Sequence, residues 1–264
     1  MRPLEPLNMR TVKLTISYDG TSYVGWQVQP NGVSVQELLQ RAVKSMTGEP
    51  SAVVGASRTD AGVHALGQVA HFETNSNIPL DGFRMGLNSL LPDDVVVLRA
   101  EEGGEGFHAK RDSKGKVYLY RILMGCGGAP LALHRAWQMR EALDLAGMRA
   151  AAKSLVGERD FQSFRAAGCG AQDAVRSIDS IDIEEPGSHD PIFRCGEGAG
   201  LVELTFRGNG FVRHMIRNIV GTLCDVGKGM TEPQEVEAIL AARDREQAGR
   251  CAPACGLYLM KVIY

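Results

Sequence analysis

Val12-Lys13-Leu14-Thr15-Ile16-Ser17-Tyr18 alternates apolar and polar residues before Asp19-Gly20, the period of two that marks a half-buried strand running into a turn. Working outward from it, Ser34 and Glu37 stand at capping-box spacing ahead of a helix. Val35, Leu38, Leu39, Ala42, Val43 and Met46 fall on one face of that helix, and Gly48-Glu49-Pro50 stops it. Ala52 to Ala56 and Leu66 to Phe72 read as two short strands, which leaves Ser57 to Ala65 as their connection. A second helix is expected from Leu80 to Leu90 and a strand from Val95 to Leu98. Strand, helix, two strands, helix, strand is the order of a ferredoxin-like unit, with helices on one face of a sheet.

The order repeats more loosely downstream. Val117 to Leu123 reads as a strand, Leu143 to Leu155 as a helix, Ile178 to Ile183 and Leu201 to Phe206 as strands, Phe211 to Val226 as a helix, and Leu257 to Ile263 as a closing strand. The fold class is therefore α+β: two related ferredoxin-like halves, 1–106 and 107–264, sharing a mixed, mostly antiparallel sheet flanked by helices. Glu101 to Gly106 and Gly125 to Pro130 are candidate joints, and Glu184 to Gly200 reads as a solvent-exposed, mobile loop or hairpin.

Composition narrows the function. The chain has 264 residues, 44% hydrophobic and 23% charged, with a formal net charge of −2. That balance argues against a protein that coats nucleic acid non-specifically, so any RNA contact must be local. Met1 to Arg10 has no apolar segment of a signal peptide, and no run of about 18 apolar residues suggests a membrane span. The six cysteines, Cys126, Cys169, Cys195, Cys224, Cys251 and Cys255, are then expected to be reduced thiols of a cytoplasmic protein. Cys251 and Cys255 have no second Cys/His pair at zinc-ligand spacing, so no structural metal is expected.

The connection Arg58-Thr59-Asp60-Ala61-Gly62-Val63-His64-Ala65 carries the most chemistry. An aspartate near a glycine in a short loop is ordinarily a turn-former bonding its own backbone. Arg58, two residues earlier, can lie on the same side in an extended approach and keep a desolvated carboxylate ionised. With no histidine at base spacing, an anionic, partly dry carboxylate suits nucleophilic attack better than proton shuttling. His64 is expected to order the loop.

Two further constellations stand out. Lys116, Tyr118 and Tyr120 share one face of a strand, and Tyr120 reads as an ordinary sheet aromatic. Lys110, Arg111, Lys114, Lys116 and Arg121 surround Tyr118 with only Asp112 of opposite sign. Such a run is either a solvated face or a track for phosphates. On the helix expected over Phe211 to Val226, Phe211, Val212, Met215, Ile216, Ile219, Val220 and Leu223 fill one half of the wheel. Arg213, His214, Arg217 and Asn218 fill the other, and arginines so placed ordinarily only solubilise.

The loop, continuing into Leu66-Gly67-Gln68-Val69, resembles the catalytic loop of the tRNA pseudouridine synthase A family, bacterial type. The likeness runs in order along nearly the whole chain: Tyr18-Asp19-Gly20 with Gly25-Trp26-Gln27, Phe107-His108-Ala109, Tyr118-Leu119-Tyr120, Asp160-Phe161 with Ser163-Phe164, Phe211 to Gly221, and Gly256-Leu257-Tyr258-Leu259. Ser57 stands where the family pattern has Gly, and Lys116 where an Arg commonly precedes the Tyr-x-Tyr pair. The second departure loses a bidentate fork and bears on RNA contacts.

The resemblance implies a pseudouridine synthase fold and an isomerase needing no cofactor. By the same resemblance it would convert uridines 38, 39 and 40 of the tRNA anticodon stem-loop and work as a homodimer. It further implies Asp60 as nucleophile, Arg217 as the arginine that pairs with it, Tyr118 as the ring that stacks on the extruded uracil, and Leu257 in an apolar pocket wall. Arg58 would also contact phosphate and fill the vacated stack, and Arg213, Lys110 and Lys116 would face RNA. The residues are equally compatible with attack on carbon 6 of uracil, attack on the anomeric carbon, or glycal formation. The competing readings are a non-catalytic RNA-binding module on the same sheet and the same chemistry at other tRNA uridines.

Overall fold

The computed structural model describes residues 9–187, 191–193 and 199–264. The chain divides into two compact units, one running through Lys114 and rejoined by Leu259–Tyr264, the other Gly115–Tyr258.

In the first unit, β1 (Arg10–Tyr18), α1 (Val35–Thr47), β2 (Val54–Gly55), β3 (His64–Thr74), α2 (Leu80–Leu90) and β4 (Val95–Glu102) follow one another. β1 lies between β4 and β3, antiparallel to both, and β2 pairs antiparallel with β3 at Ala70 and His71. This 4-1-3-2 order is the ferredoxin-like arrangement that the element order implied. The alternation in β1 is realised as Val12, Leu14, Ile16 and Tyr18 turned inward, the first three with no exposed surface. Their burial, each worth about 1.5–3 kcal/mol, fixes the register, because a one-residue slip would turn the whole set to water. Ser34 caps α1 by accepting the Glu37 N–H, and Gly48, at φ 75°, ends it. Phe83 of α2 packs edge-on against Phe72 of β3 at 5.3 Å between ring centroids.

The second unit holds β5 (Gly115–Met124), β6 (Trp137–Gln138), α3 (Leu145–Ala152), β7 (Gly157–Asp160), β8 (Val175–Glu184), β9 (Gly200–Gly208), α4 (Met215–Gly227) and α5 (Glu235–Ala242). β10 (Leu257–Ile263) begins at the end of this unit and finishes in the first. β5, β9, β8 and β7 are neighbours in that order, all antiparallel, while the two-residue β6 adds to β5 in parallel. The α+β class holds.

Several expectations shift at their edges. β3 starts at His64, so the connection is shorter than 57–65, and β2 spans only two residues. Phe211–His214 stays outside α4, which starts after His214 in a left-handed conformation at φ 62°. Asn218, placed on the polar half of that helix, is 1% exposed. Its amide donates to the Phe164 carbonyl (2.8 Å) and accepts from Arg245 (3.0 Å), so a wheel drawn for a surface helix fails on one buried nearly all round. Cys126 is disulfide-bonded, which corrects the expectation of six reduced thiols, whereas Cys169, Cys224 and Cys255 are free thiols. Cys195 lies outside the described residues, as does much of the expected 184–200 loop. Within that stretch Phe193 is buried against Leu123, Ala132 and Leu201, so the loop is not wholly exposed. Among the described residues no helix is long and apolar enough to cross a membrane.

Candidate active site

Asp60 sits, half-buried, in the short connection between β2 and β3. It forms an isolated antiparallel bridge with Gly25. On either side the backbone is tied down: Trp26 N–H donates to the Thr59 carbonyl (3.0 Å), Gly62 N–H to the Tyr23 carbonyl (3.4 Å), and Val63 N–H to the Asp60 carbonyl (3.1 Å). Thr59 itself is buried, its hydroxyl sharing a 2.7 Å hydrogen bond with the Tyr18 hydroxyl. Upstream, the Gln68 side-chain amide holds both backbone groups of Ser57, accepting from its N–H (3.2 Å) and donating to its carbonyl (2.7 Å). Downstream, buried His64 places Nδ1 within 3.1 Å of both the Gly20 N–H and Asp19 Oδ1, the loop-ordering role expected of it.

Two glycines show how tightly the connection is embraced. A Cβ on Gly25 would stand 2.5 Å from the Thr59 carbonyl oxygen, and the residue has φ +104°, a conformation glycine adopts without steric cost. A Cβ on Gly20 would stand 2.0 Å from the Val63 carbonyl oxygen. The Tyr18-Asp19-Gly20 and Gly25-Trp26 stretches, read from sequence only as a strand end and as part of the family likeness, are thus the cradle of the Asp60 loop. The signal for this was present in glycines flanking aromatics, but only the close approach explains them. Arg58 presents an exposed side chain at the mouth of the same connection. Backbone hydrogen bonds on both sides thus fix where Asp60 stands, the kind of preorganisation that a reacting group requires.

Lys110 is exposed in the turn after Phe107, also in the first unit. In the second unit, Tyr118 of β5 is 6% exposed and meets Phe211 edge to face at 5.4 Å. Lys116, two residues before it, pairs across the sheet with Gly208. Tyr120 is fully buried with its hydroxyl donating to the Pro253 carbonyl (2.7 Å), as expected of a sheet aromatic, and burial raises its pKa well above the usual value. Arg217 is no solubilising arginine: half-buried on α4, it donates from Nε to the Ala252 carbonyl (2.7 Å), and Ala252 N–H donates back to the Arg217 carbonyl (3.0 Å). Arg213 is exposed in the segment ahead of the helix rather than on it, and Leu257 is buried at the start of β10.

A family model described as tRNA pseudouridine synthase matches residues 14–111 and 151–264. The chain belongs to that family. The matched stretches contain Arg58, Asp60, Lys110, Arg213, Arg217 and Leu257, while Lys116 and Tyr118 fall between them. Among curated relatives, tRNA pseudouridine synthase A of Syntrophotalea carbinolica is 45% identical over 256 residues, covering 97% of both chains. That of Geobacter sulfurreducens is 44% identical over 254 residues, covering 96% of this chain and 99% of its own. A crystal structure of an unknown protein from Galdieria sulphuraria aligns over 84% of this chain and 94% of that one at 11% identity, with a TM-score of 0.24, too slight a likeness to bear on the fold. As a member of the tRNA pseudouridine synthase family the chain is an isomerase acting on tRNA, which removes the non-catalytic binding module as a reading.

Proposed function

We propose that the protein converts uridines 38, 39 and 40 of the tRNA anticodon stem-loop to pseudouridine with Asp60 as nucleophile. The observation that carries the reading is the Asp60 connection, bridged to Gly25 and held by backbone hydrogen bonds on both sides. In the reaction the bond from ribose carbon 1′ to uracil nitrogen 1 breaks, the ring turns, and carbon 1′ joins carbon 5. The carbon 5 proton is lost to a base and nitrogen 1 takes one up, so no redox partner or group donor is consumed. Arg58 and Arg217 supply positive charge to the carboxylate and the reaction. Tyr118 stacks on the extruded base, replacing its lost neighbours, and receives the carbon 5 proton. Leu257 contributes apolar surface that keeps water from the covalent intermediate. Lys110, Lys116 and Arg213 contact RNA, and their exposure or partial exposure suits phosphate recognition. The enzyme acts as a homodimer in the cytoplasm.

The test is release of tritium from carbon 5 of labelled uridine in tRNA, wild type against Asp60→Asn. Loss of release in the variant with tRNA binding retained is expected; equal release by both proteins removes Asp60 as nucleophile. Mapping the converted uridines decides site choice, and the molar mass in solution decides the dimer.

A further inference from the structure

His71 occupies an interior strand position where an apolar residue would ordinarily serve. It lies on β3 opposite Lys13 of β1 and Val54 of β2, and is 7% exposed. Its ring does not point idly into the core. Nδ1 accepts the Ala109 N–H at 3.1 Å, a buried contact between residues 38 apart in sequence. The imidazole also packs against Phe107 edge-on at 5.9 Å and against His108 at 4.9 Å. Ala109, fully buried, is gripped at its other end too, since the Tyr264 hydroxyl donates to its carbonyl at 2.7 Å. Around this pinned residue the chain closes a tight turn: His108 N–H donates to Asp112 Oδ2 (2.7 Å), Arg111 N–H to His108 Nδ1 (3.1 Å), and Asp112 N–H to the His108 carbonyl (3.0 Å). Lys110 and Arg111 emerge exposed directly after Ala109.

We infer that His71 is a positioning residue for tRNA: its unprotonated Nδ1, by accepting the Ala109 N–H, aims the Lys110–Arg111 turn at the RNA backbone. The inference rests on the reading, proposed above, that Lys110 contacts RNA. Any buried acceptor of the right reach would hold the turn, but an imidazole makes the hold depend on protonation. Burial is the main cause that moves the His71 pKa below 6.5, and nearby His108 adds to it. Glu73 on its own strand, a hydrogen bond to the Val54 backbone and Asp112 in the turn oppose that shift. Lys13, its register partner, lies over the Phe107 and Tyr264 rings. The latch is thus closed at neutral pH, and as pH falls through the lowered pKa the ring gains a proton on Nδ1 and can no longer accept from Ala109.

The experiment measures KM and kcat for an unmodified tRNA transcript between pH 5.5 and 7.5 in wild type, His71→Leu, His71→Asn, and a Lys110→Ala/Arg111→Ala double variant, with thermal unfolding followed in parallel. His71→Leu removes the acceptor. His71→Asn keeps an oxygen where Nδ1 stood and does not titrate. Expected at pH 7.5 is a KM raised about tenfold in the Leu variant, the size of one lost hydrogen bond to a buried N–H, with kcat changed less than about twofold. His71→Asn stays within about twofold of wild type, and its KM rises less steeply than the wild type's toward pH 5.5. A KM in His71→Leu equal to wild type, or parallel pH profiles in wild type and His71→Asn, overturns the inference. If the double variant nonetheless raises KM, the RNA role of the turn stands and only the part given to His71 is lost. An unchanged KM in the double variant removes the RNA role of the turn and the inference with it. Should His71→Leu fail to fold, the wild-type and Asn profiles alone decide.

Discussion

Gly25→Ala is the most exacting probe of the role proposed for the Asp60 connection, because its effect can be worked from two separate sources. The first is conformational: at φ +104° an L-residue is strained, at about 1–2 kcal/mol. The second is steric. The new Cβ would lie 2.5 Å from the Thr59 carbonyl oxygen, 3.0 Å from the Asp60 carbonyl carbon and 3.1 Å from the Ala61 nitrogen, all backbone atoms that cannot swing aside. Ordinary contact begins at 3.4 Å, so the Gly25 and Asp60 segments must part by close to 1 Å. That motion also stretches the Trp26–Thr59 hydrogen bond. A misplacement of about 1 Å in a reacting group can cost roughly 100-fold in rate, so kcat should fall by about that factor. Gly48→Ala is the control: φ is also positive at +75°, but nothing lies within 4 Å of the added Cβ. It should lower stability by about 1 kcal/mol, a melting shift of about 2–4 °C, and leave kcat unchanged. Tritium release under single-turnover conditions, with melting curves of both variants, separates the two. A folded Gly25→Ala protein with wild-type kcat would refute the claim that backbone approach positions Asp60.

Further outcomes follow from other contacts. Tyr118→Ala should cost at least the stacking of one base, about 1–3 kcal/mol, seen as a drop in tritium release of roughly 10- to 100-fold or more because the proposed proton acceptor is lost too, while Tyr118→Leu, apolar but not planar, should recover little of it. Asn218→Ala strips the Phe164 carbonyl and Arg245 of their partner inside the second unit and should destabilise by about 2–3 kcal/mol in urea unfolding. Ser34→Ala removes the cap of α1 and should lower stability by about 1 kcal/mol with activity intact.

Most of the first unit was legible because its elements, the two-residue β2 apart, are long, periodic and punctuated by strong local signals. Ser34 and Gly48 delimit α1, α2 and β10 have the predicted bounds, and the alternation of β1 is its burial pattern. What escaped were the elements set by tertiary context. β6 and β7 have two and four residues, too few to show a period. The start of α4 is decided by His214 in a left-handed conformation, which no periodicity announces. Asp60 could be singled out because arginine, aspartate and glycine stand close together in sequence. Its cradle was not, because Tyr18, Gly20 and Gly25 reach it only through the fold. Asn218 misled for the same reason: polarity placed it outside, whereas a buried backbone carbonyl and an arginine required it inside.

That Leu259–Tyr264 belongs to the first unit has a consequence for biosynthesis. The rest of that unit leaves the ribosome first, and all of Gly115–Tyr258 must be made before the residues that complete it. Until then the Gly67 stretch of β3 lacks the strand whose Met260 carbonyl lies against it, Lys114 N–H has no Ile263 carbonyl to bond, and Ala109 lacks the Tyr264 hydroxyl. An open strand edge on a nascent chain is a template for mispairing. Ribosomes that stall or terminate inside the second unit would therefore release a fragment that is nearly a domain but carries an unfinished edge, a substrate for chaperones and proteases rather than a smaller enzyme.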